Sequence, residues 1–363
     1  MKRIGIFCPI GSSSPFRVAN KLCQLSTTHP SKYHFVKLNR ENISSAQLSN
    51  IDLFHLTVSP WIAPIPYLKW LSMCKRARIP TITNIHGDYV LEFLFALSDG
   101  HFTEAIREAP TILLSRYVLD LSDNLVVNSK QMADRLINIY GISRKKIWVI
   151  ANGIEPPDEG PHENERLNKN KNNKMVIFTH GVLSSRKGLF DVMDAIKKLD
   201  RDDISLQIAG KGPLAPRLSR YIKRLDLSEK VELLGYLTEN QLIERLRLSD
   251  ICIYPTKFDG FNIAVLEAMR RTEGVVLTSR GAGVTDFFPS ELSESMFRPT
   301  TSDITSAIET CLRLSPDERL KLRQAQQAFA KEMTWLNIWD NYIQMYDSVM
   351  HPTGRHYPNS ISE

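Results

Sequence analysis

Twice along the chain, short runs rich in Val, Ile, Leu, Phe and Tyr alternate with longer segments of helical spacing. The first series reads RIGIFC, YHFVKL, DLFHLTV, PTITNIH, NLVVNS and IWVIANG; the second reads MVIFTHG, SLQIAGKG, VELLGYL, ICIYPT, GVVLTS and SMFRP. Strands that are apolar along their whole length are buried on both faces, and strands separated by helices run parallel. The pattern therefore specifies an α/β chain of two doubly wound sheets. Between the series lies EPPDEGPHENERLNKNKNNK, almost free of apolar residues and rich in Pro, Asn and charge, which is the composition of a linker. We expect a first Rossmann-like domain over 1–154, a linker over 155–174 and a second Rossmann-like domain over 175–334, facing each other across a cleft. A chain of 363 residues has room for two such cores. Ligands of this architecture bind beyond the carboxyl ends of the strands.

A net charge of +6 points to an anionic partner. Nucleic acid is not expected, because there is no helix-turn-helix pattern, zinc knuckle or aromatic-basic platform. Residues 61–78 combine Trp61, Tyr67, Trp70 and Met73 with Lys69, Lys75, Arg76 and Arg78 and carry no acid. That composition suits peripheral contact with an anionic membrane, and equally a core helix with a solvated basic end. No apolar run approaches the roughly 20 residues of a bilayer span. The five cysteines are scattered without C-x-x-C spacing, so neither a zinc site nor a disulfide framework is expected. The reading is a cytoplasmic protein, with the inner face of the cell membrane as its candidate docking place. GKGPLAPRL lacks the ending of a P-loop and GIFCPIGSSS lacks the G-x-G-x-x-G of a dinucleotide fold. No D-x-D follows an apolar strand, and no metal-ligand cluster is visible, so metal ligands are expected to be none.

FDGFNIAVLEAM, from Phe258 to Met269, carries the most specific chemistry. DICIYP reads as a strand, Thr256 to Gly260 as a loop and Asn262 onward as a helix. Backbone N–H groups of Phe261, Asn262 and Ile263 at the helix start would form an anion site suited to a diphosphate, with Gly260 permitting close approach. Asp259 and Glu267 flank it. Carboxylates do not bind phosphate, so their targets would be hydroxyls: a sugar on one side and a ribose diol on the other. The plainer alternative makes Glu267 a helix-surface acid and Asp259 a turn former.

The region SDICIYPTKFDGFNIAVLEAM resembles the E-x7-E segment of retaining glycosyltransferases of family four, which have the GT-B fold. Further landmarks stand in order: PIGSSSPFRVANKL, IHGDY, VVNSKQMADRL, ANGI, GVLSSRKGLFDVMDAI, IAGKGPL, VELLGYL and GAGVTDF. The resemblance covers about Lys2 to Arg298. It implies transfer of a sugar from a nucleotide-diphosphate sugar, UDP- or GDP-linked, to the hydroxyl of a glycan or lipid-linked acceptor, with retention and with no cofactor. Carried over by position, Glu267 would hold the ribose and Asp259 the donor sugar. Lys187, in the loop that begins at Gly181, would neutralise the diphosphate; the arginine the family carries after that glycine is absent, and the neighbouring Arg186 is the candidate to compensate. His86 would lie near the reacting sugar, its ring oriented by Asp88. Gly11 and Ser12 would bring backbone N–H groups to phosphate and acceptor, and Tyr236 would meet the base through its main chain. GT-B chains return their last helix to the first domain, so residues 335–350 are expected there and 351–363 as a tail. Three positions depart from the family pattern: Val182 where Arg is common, Asp259 where Glu is usual, and Asp286 where Glu is frequent. Val182 and Asp259 leave open a second class of function, a nucleotide-sugar-binding scaffold without turnover.

Overall fold

A computed structural model describes residues 1–8, 14–29, 31–40, 43–59, 64–100, 102, 114–155 and 174–351. The expected linker, apart from Glu155 and Lys174, and the tail beyond His351 lie outside the described residues, as do Gly11, Ser12 and Trp61. The chain forms two compact units, one of Met1–Gly153 with Trp335–Glu363 and one of Ile154–Thr334. Ile154, placed by sequence at the end of the first domain, belongs to the second unit. Its N–H donates to the Met333 carbonyl at 2.9 Å, and it pairs with Thr334.

The first unit holds strands β1 (Arg3–Phe7), β2 (His34–Leu38), β3 (Leu53–Leu56), β4 (Thr81–Ile85), β5 (Asn124–Val127) and β6 (Ile147–Val149). The second holds β7 (Met175–His180), β8 (Ile204–Ala209), β9 (Val231–Gly235), β10 (Ile251–Tyr254), β11 (Val275–Ser279) and β12 (Met296–Phe297). Each set forms one parallel sheet, ordered β2-β1-β3-β4-β5-β6 and β12-β11-β10-β7-β8-β9. Central strands such as β4, β10 and β11 are buried at every residue, whereas the edge strands β2 and β9 are partly exposed and carry Lys37 and Glu232. Polarity thus follows position in the sheet.

Sheet order also fixes where each crevice lies. In the second unit the chain runs outward from β7 through β8 and β9, then returns on the other side of β7 as β10. The strand order reverses between β7 and β10, and the loops leaving their carboxyl ends diverge there. Helix starts are marked by side-chain caps: Asp88 accepts from Leu91 N–H, Ser129 from Met132 N–H, and Ser315 forms a reciprocal box with Glu318 ahead of Pro316.

The helix Trp335–Met350 packs in the first unit. Trp339 is 2% exposed and lies 5.4 Å, ring to ring, from Phe35. Beneath it a buried polar chain crosses β3 and β4: Tyr346 Oη is 2.7 Å from His55 Nδ1, His55 Nε2 is 2.9 Å from Asn84 Oδ1, and Asn84 Nδ2 donates to Tyr342 Oη at 3.2 Å. Burial lowers the His55 pKa to about 4 despite the Asn84 bond, so the ring is held neutral.

Three expectations are corrected in this unit. The helix Pro64–Ala77 turns Tyr67 and Trp70, 1% and 4% exposed, onto Phe7 in the core, so its aromatic face is not free for lipid. Lys75 and Arg76 remain exposed at its end. A disulfide joins Cys8 and Cys23, whose Cα atoms are 5.9 Å apart, because the helix Ser14–Thr28 runs back over β1; Cys74, Cys252 and Cys311 are free and buried. Asp88 does not orient His86. It is fully buried, accepts from Leu91 N–H and Tyr140 Oη, and pairs with Arg135.

Candidate functional site

In the second unit the divergent loops after β7 and β10 bring together the side chains of Arg186, Lys187 and Asp259 and the N–H groups of Phe261 and Asn262. After β7, Gly181 adopts φ 147° and the chain enters a 3₁₀ turn over Ser185–Lys187 that ends in left-handed Gly188, φ 65°. A Cβ at Gly188 would stand 2.0 Å from the Pro255 carbonyl oxygen, so only glycine permits this approach to the end of β10. Lys257 N–H donates to Arg186 carbonyl at 2.7 Å and joins the two loops. Consecutive residues of an extended loop would point apart. The 3₁₀ turn instead directs both Arg186 and Lys187 to one place.

That place is the carboxylate of Asp259. Arg186 Nη1 and Lys187 Nζ each donate to Oδ2 at 2.7 Å, while Phe261 and Asn262 N–H donate to Oδ1 at 3.3 and 3.0 Å. Burial alone would raise the carboxyl, but Lys187 and Arg186 beside it hold it well below the usual carboxylate range. The helix-start N–H groups of Phe261 and Asn262 are therefore not open, as expected from sequence, but satisfied from within. The reason is local: Asn262 takes φ 68° ahead of the helix Ile263–Arg271, and this turn folds Asp259 back over the helix end. The 281–283 loop fixes the arrangement. Asp259 N–H donates to Gly281 carbonyl and Gly283 N–H to Asp259 carbonyl, both at 2.9 Å. Gly260 and Phe261 are buried, with Phe261 against Phe287.

Glu267 lies further along the same helix, its side chain 30% exposed. His180, at the end of β7, brings Nε2 within 3.7 Å of Glu267 Oε2, and sequence reasoning did not single it out. His180, Gly181, Lys187, Tyr254 and Thr256 line one recess at the reversal point. Lys257 pairs with Asp191 at 3.0 Å, away from Asp259, and Val182 is 54% exposed. Tyr236, beyond the edge strand β9, is 67% exposed, with the Lys211 amine 5.0 Å from its ring centroid. In the first unit, His86 follows β4. Its N–H donates to Ser59 Oγ at 2.7 Å and its Nε2 lies 3.0 Å from the Thr57 carbonyl, while burial lowers its pKa. Among the described residues no group of three or more His, Cys, Asp or Glu is arranged to hold a metal ion. No helix among them is long and apolar enough to cross a membrane.

Two parallel six-stranded sheets, each flanked by helices, are the GT-B architecture, and solved glycosyltransferases share it. The Anabaena protein Alr3699/HepE, solved with UDP, matches with a TM-score of 0.65 at 14% identity, over 96% of this chain and 99% of that one. The lipopolysaccharide outer core galactosyltransferase WaaB matches with a TM-score of 0.66 at 14% identity, over 96% and 99%. The family profile described as Glycosyltransferase Family 4 fits residues 6–157, and that described as Glycosyl transferases group 1 fits residues 161–333. The chain belongs to the family 4-type glycosyltransferases. An uncharacterized glycosyltransferase of Methanocaldococcus jannaschii is 26% identical over 77% of this chain and 72% of the relative. The N-acetylgalactosamine-N,N'-diacetylbacillosaminyl-diphospho-undecaprenol 4-alpha-N-acetylgalactosaminyltransferase of Campylobacter jejuni is 25% identical over 79% and 84%.

Proposed function

We propose that this glycosyltransferase moves a sugar from a nucleotide-diphosphate sugar to an acceptor hydroxyl with retention, without a metal ion. The observation that carries the reading is the convergence of Arg186, Lys187 and a helix N-terminus on one anionic position at the β7/β10 reversal. A departing diphosphate develops negative charge, and two cations with a helix terminus are the donors that stabilise it. Glu267 would accept from the ribose diol, Asp259 from the donor sugar, and His86 would contact the reacting sugar. Gly11 and Ser12 would complete the phosphate contacts, and Tyr236 would meet the base through its main chain. The HepE structures, solved with UDP and with UDP-glucose, support a uridine donor. The diphospho-undecaprenol in the Campylobacter relative's name supports a lipid-linked or glycan acceptor.

The test is a panel of UDP- and GDP-sugars, with and without EDTA, with the product anomer read by NMR. We expect one donor to be consumed with retention and without loss in EDTA, and Lys187→Ala to lower the rate about a hundredfold or more. Nucleotide binding with no sugar released from any donor would instead identify a scaffold that kept the site and lost turnover.

A further inference from the structure

His180 is held more firmly than a strand-end histidine needs to be. Its ring stacks on Phe178 at 5.8 Å and 21°, and meets Tyr254 edge-on at 5.5 Å and 81°. The side chain is 10% exposed. Nδ1 lies 2.9 Å from Tyr254 Oη, and Nε2 is buried without a hydrogen-bond partner among the described residues. That nitrogen lies 3.7 Å from Glu267 Oε2, just beyond hydrogen-bond range.

The proton positions follow from the surroundings. Burial, then Cys252 and Glu267, raise the Tyr254 pKa well above its ordinary value, so the phenol keeps its proton. A carboxylate beside Nε2 favours the tautomer protonated there. Tyr254 Oη–H then donates to Nδ1, and Nε2–H points at Glu267. An N–H aimed from a locked ring is a device for fixing a carboxylate.

We propose that His180 is a positioning residue: backed by Tyr254, it orients the Glu267 carboxylate for bidentate acceptance from the vicinal hydroxyls of the donor ribose. The inference rests on the reading of Glu267 as the ribose acceptor and adds the group that aims it. A small movement of Glu267 toward the ring turns the 3.7 Å approach into a charge-assisted hydrogen bond as the nucleotide enters.

The readout is the affinity of UDP divided by that of 2′-deoxy-UDP, with GDP and 2′-deoxy-GDP as the second pair, measured by calorimetry on the full chain. In the wild type the ribonucleotide binds more tightly, and Glu267→Gln brings the ratio close to one. His180→Phe keeps the stacked shape but removes both nitrogens. It should lower the ratio at least threefold, with KM raised and kcat nearly unchanged, because ribose binding is uniform between ground and transition states. His180→Phe leaves the Tyr254 hydroxyl without its partner, so the His180→Phe/Tyr254→Phe pair is made alongside to separate lost folding from lost aim. His180→Gln, whose amide N–H reaches near the Nε2 position, should restore part of the ratio. A wild-type ratio that Glu267→Gln abolishes and His180→Phe leaves intact overturns the inference alone. A wild type that binds ribo- and deoxyribonucleotide equally overturns the reading of Glu267 and the inference with it.

Discussion

Two cations and two backbone N–H groups already meet on the Asp259 carboxylate, so an incoming diphosphate competes with it for the same donors. Replacing Asp259 by Asn removes the charge and leaves the shape. We expect UDP or GDP to bind about tenfold more tightly to Asp259→Asn, about 1.4 kcal/mol, while transfer from the sugar nucleotide falls. Stability should drop by about 1–3 kcal/mol, because two partly buried cations lose their anion. Weaker nucleotide binding by calorimetry would show instead that Asp259 arranges the cations for the ligand. The same residue marks where sequence reading ended. The loop, the helix and the cations were legible from FDGFNIAVLEAM and SSRKG, but the inward turn of Asp259 depends on Asn262 at positive φ, a conformation Asn tolerates better than most residues but that an Asn by itself does not dictate.

Elements carry the next set of consequences. The 3₁₀ turn that aims Arg186 and Lys187 ends at Gly188, where a left-handed conformation costs a substituted residue about 1–2 kcal/mol before any clash. With Pro255 carbonyl 2.0 Å from the added carbon, Gly188→Ala should lower the melting temperature and abolish nucleotide binding together; unchanged binding would refute the role of the turn. The helix Trp335–Met350 adds a pH dependence. His55 is neutral in the fold with a pKa of about 4, against 6.5 when unfolded. Between those values the unfolded chain binds the extra proton, so stability is full above pH 6.5 and falls toward pH 4, by roughly 3 kcal/mol from this group. Urea unfolding across that range should show the slope. His55→Gln should flatten it, leaving the part that His86, also lowered by burial, contributes. The strands were legible because central parallel strands buried on both faces are continuous apolar runs, and edge strands such as β2 and β9 keep most of that pattern around Lys37 and Glu232. Which face of the helix Pro64–Ala77 is covered was not, since Tyr67 and Trp70 suit lipid and core alike. The Cys8–Cys23 pair depends on a helix folding back over β1, and a separation of 15 residues carries no local trace of that.

At the scale of the molecule, the first unit is discontinuous: its sheet comes from residues before Gly153 and its closing helix from Trp335 onward. A chain ended after Thr334 should lose hydrogen-exchange protection in β1 to β6 and keep it in β7 to β12, with nucleotide affinity retained by the second unit. Protection kept in both would mean that Trp339, Tyr342 and Tyr346 contribute little to the first core, against their near-complete burial.

The discontinuity also sets an order in time. At about 5–20 residues per second of synthesis, roughly 9 to 36 seconds separate the emergence of Gly153 from that of Trp335. Through that interval Phe35, His55 and Asn84 wait uncovered on a nascent sheet, while the chain that follows builds an entire second core. The half of the protein that is translated first is therefore the half that finishes folding last.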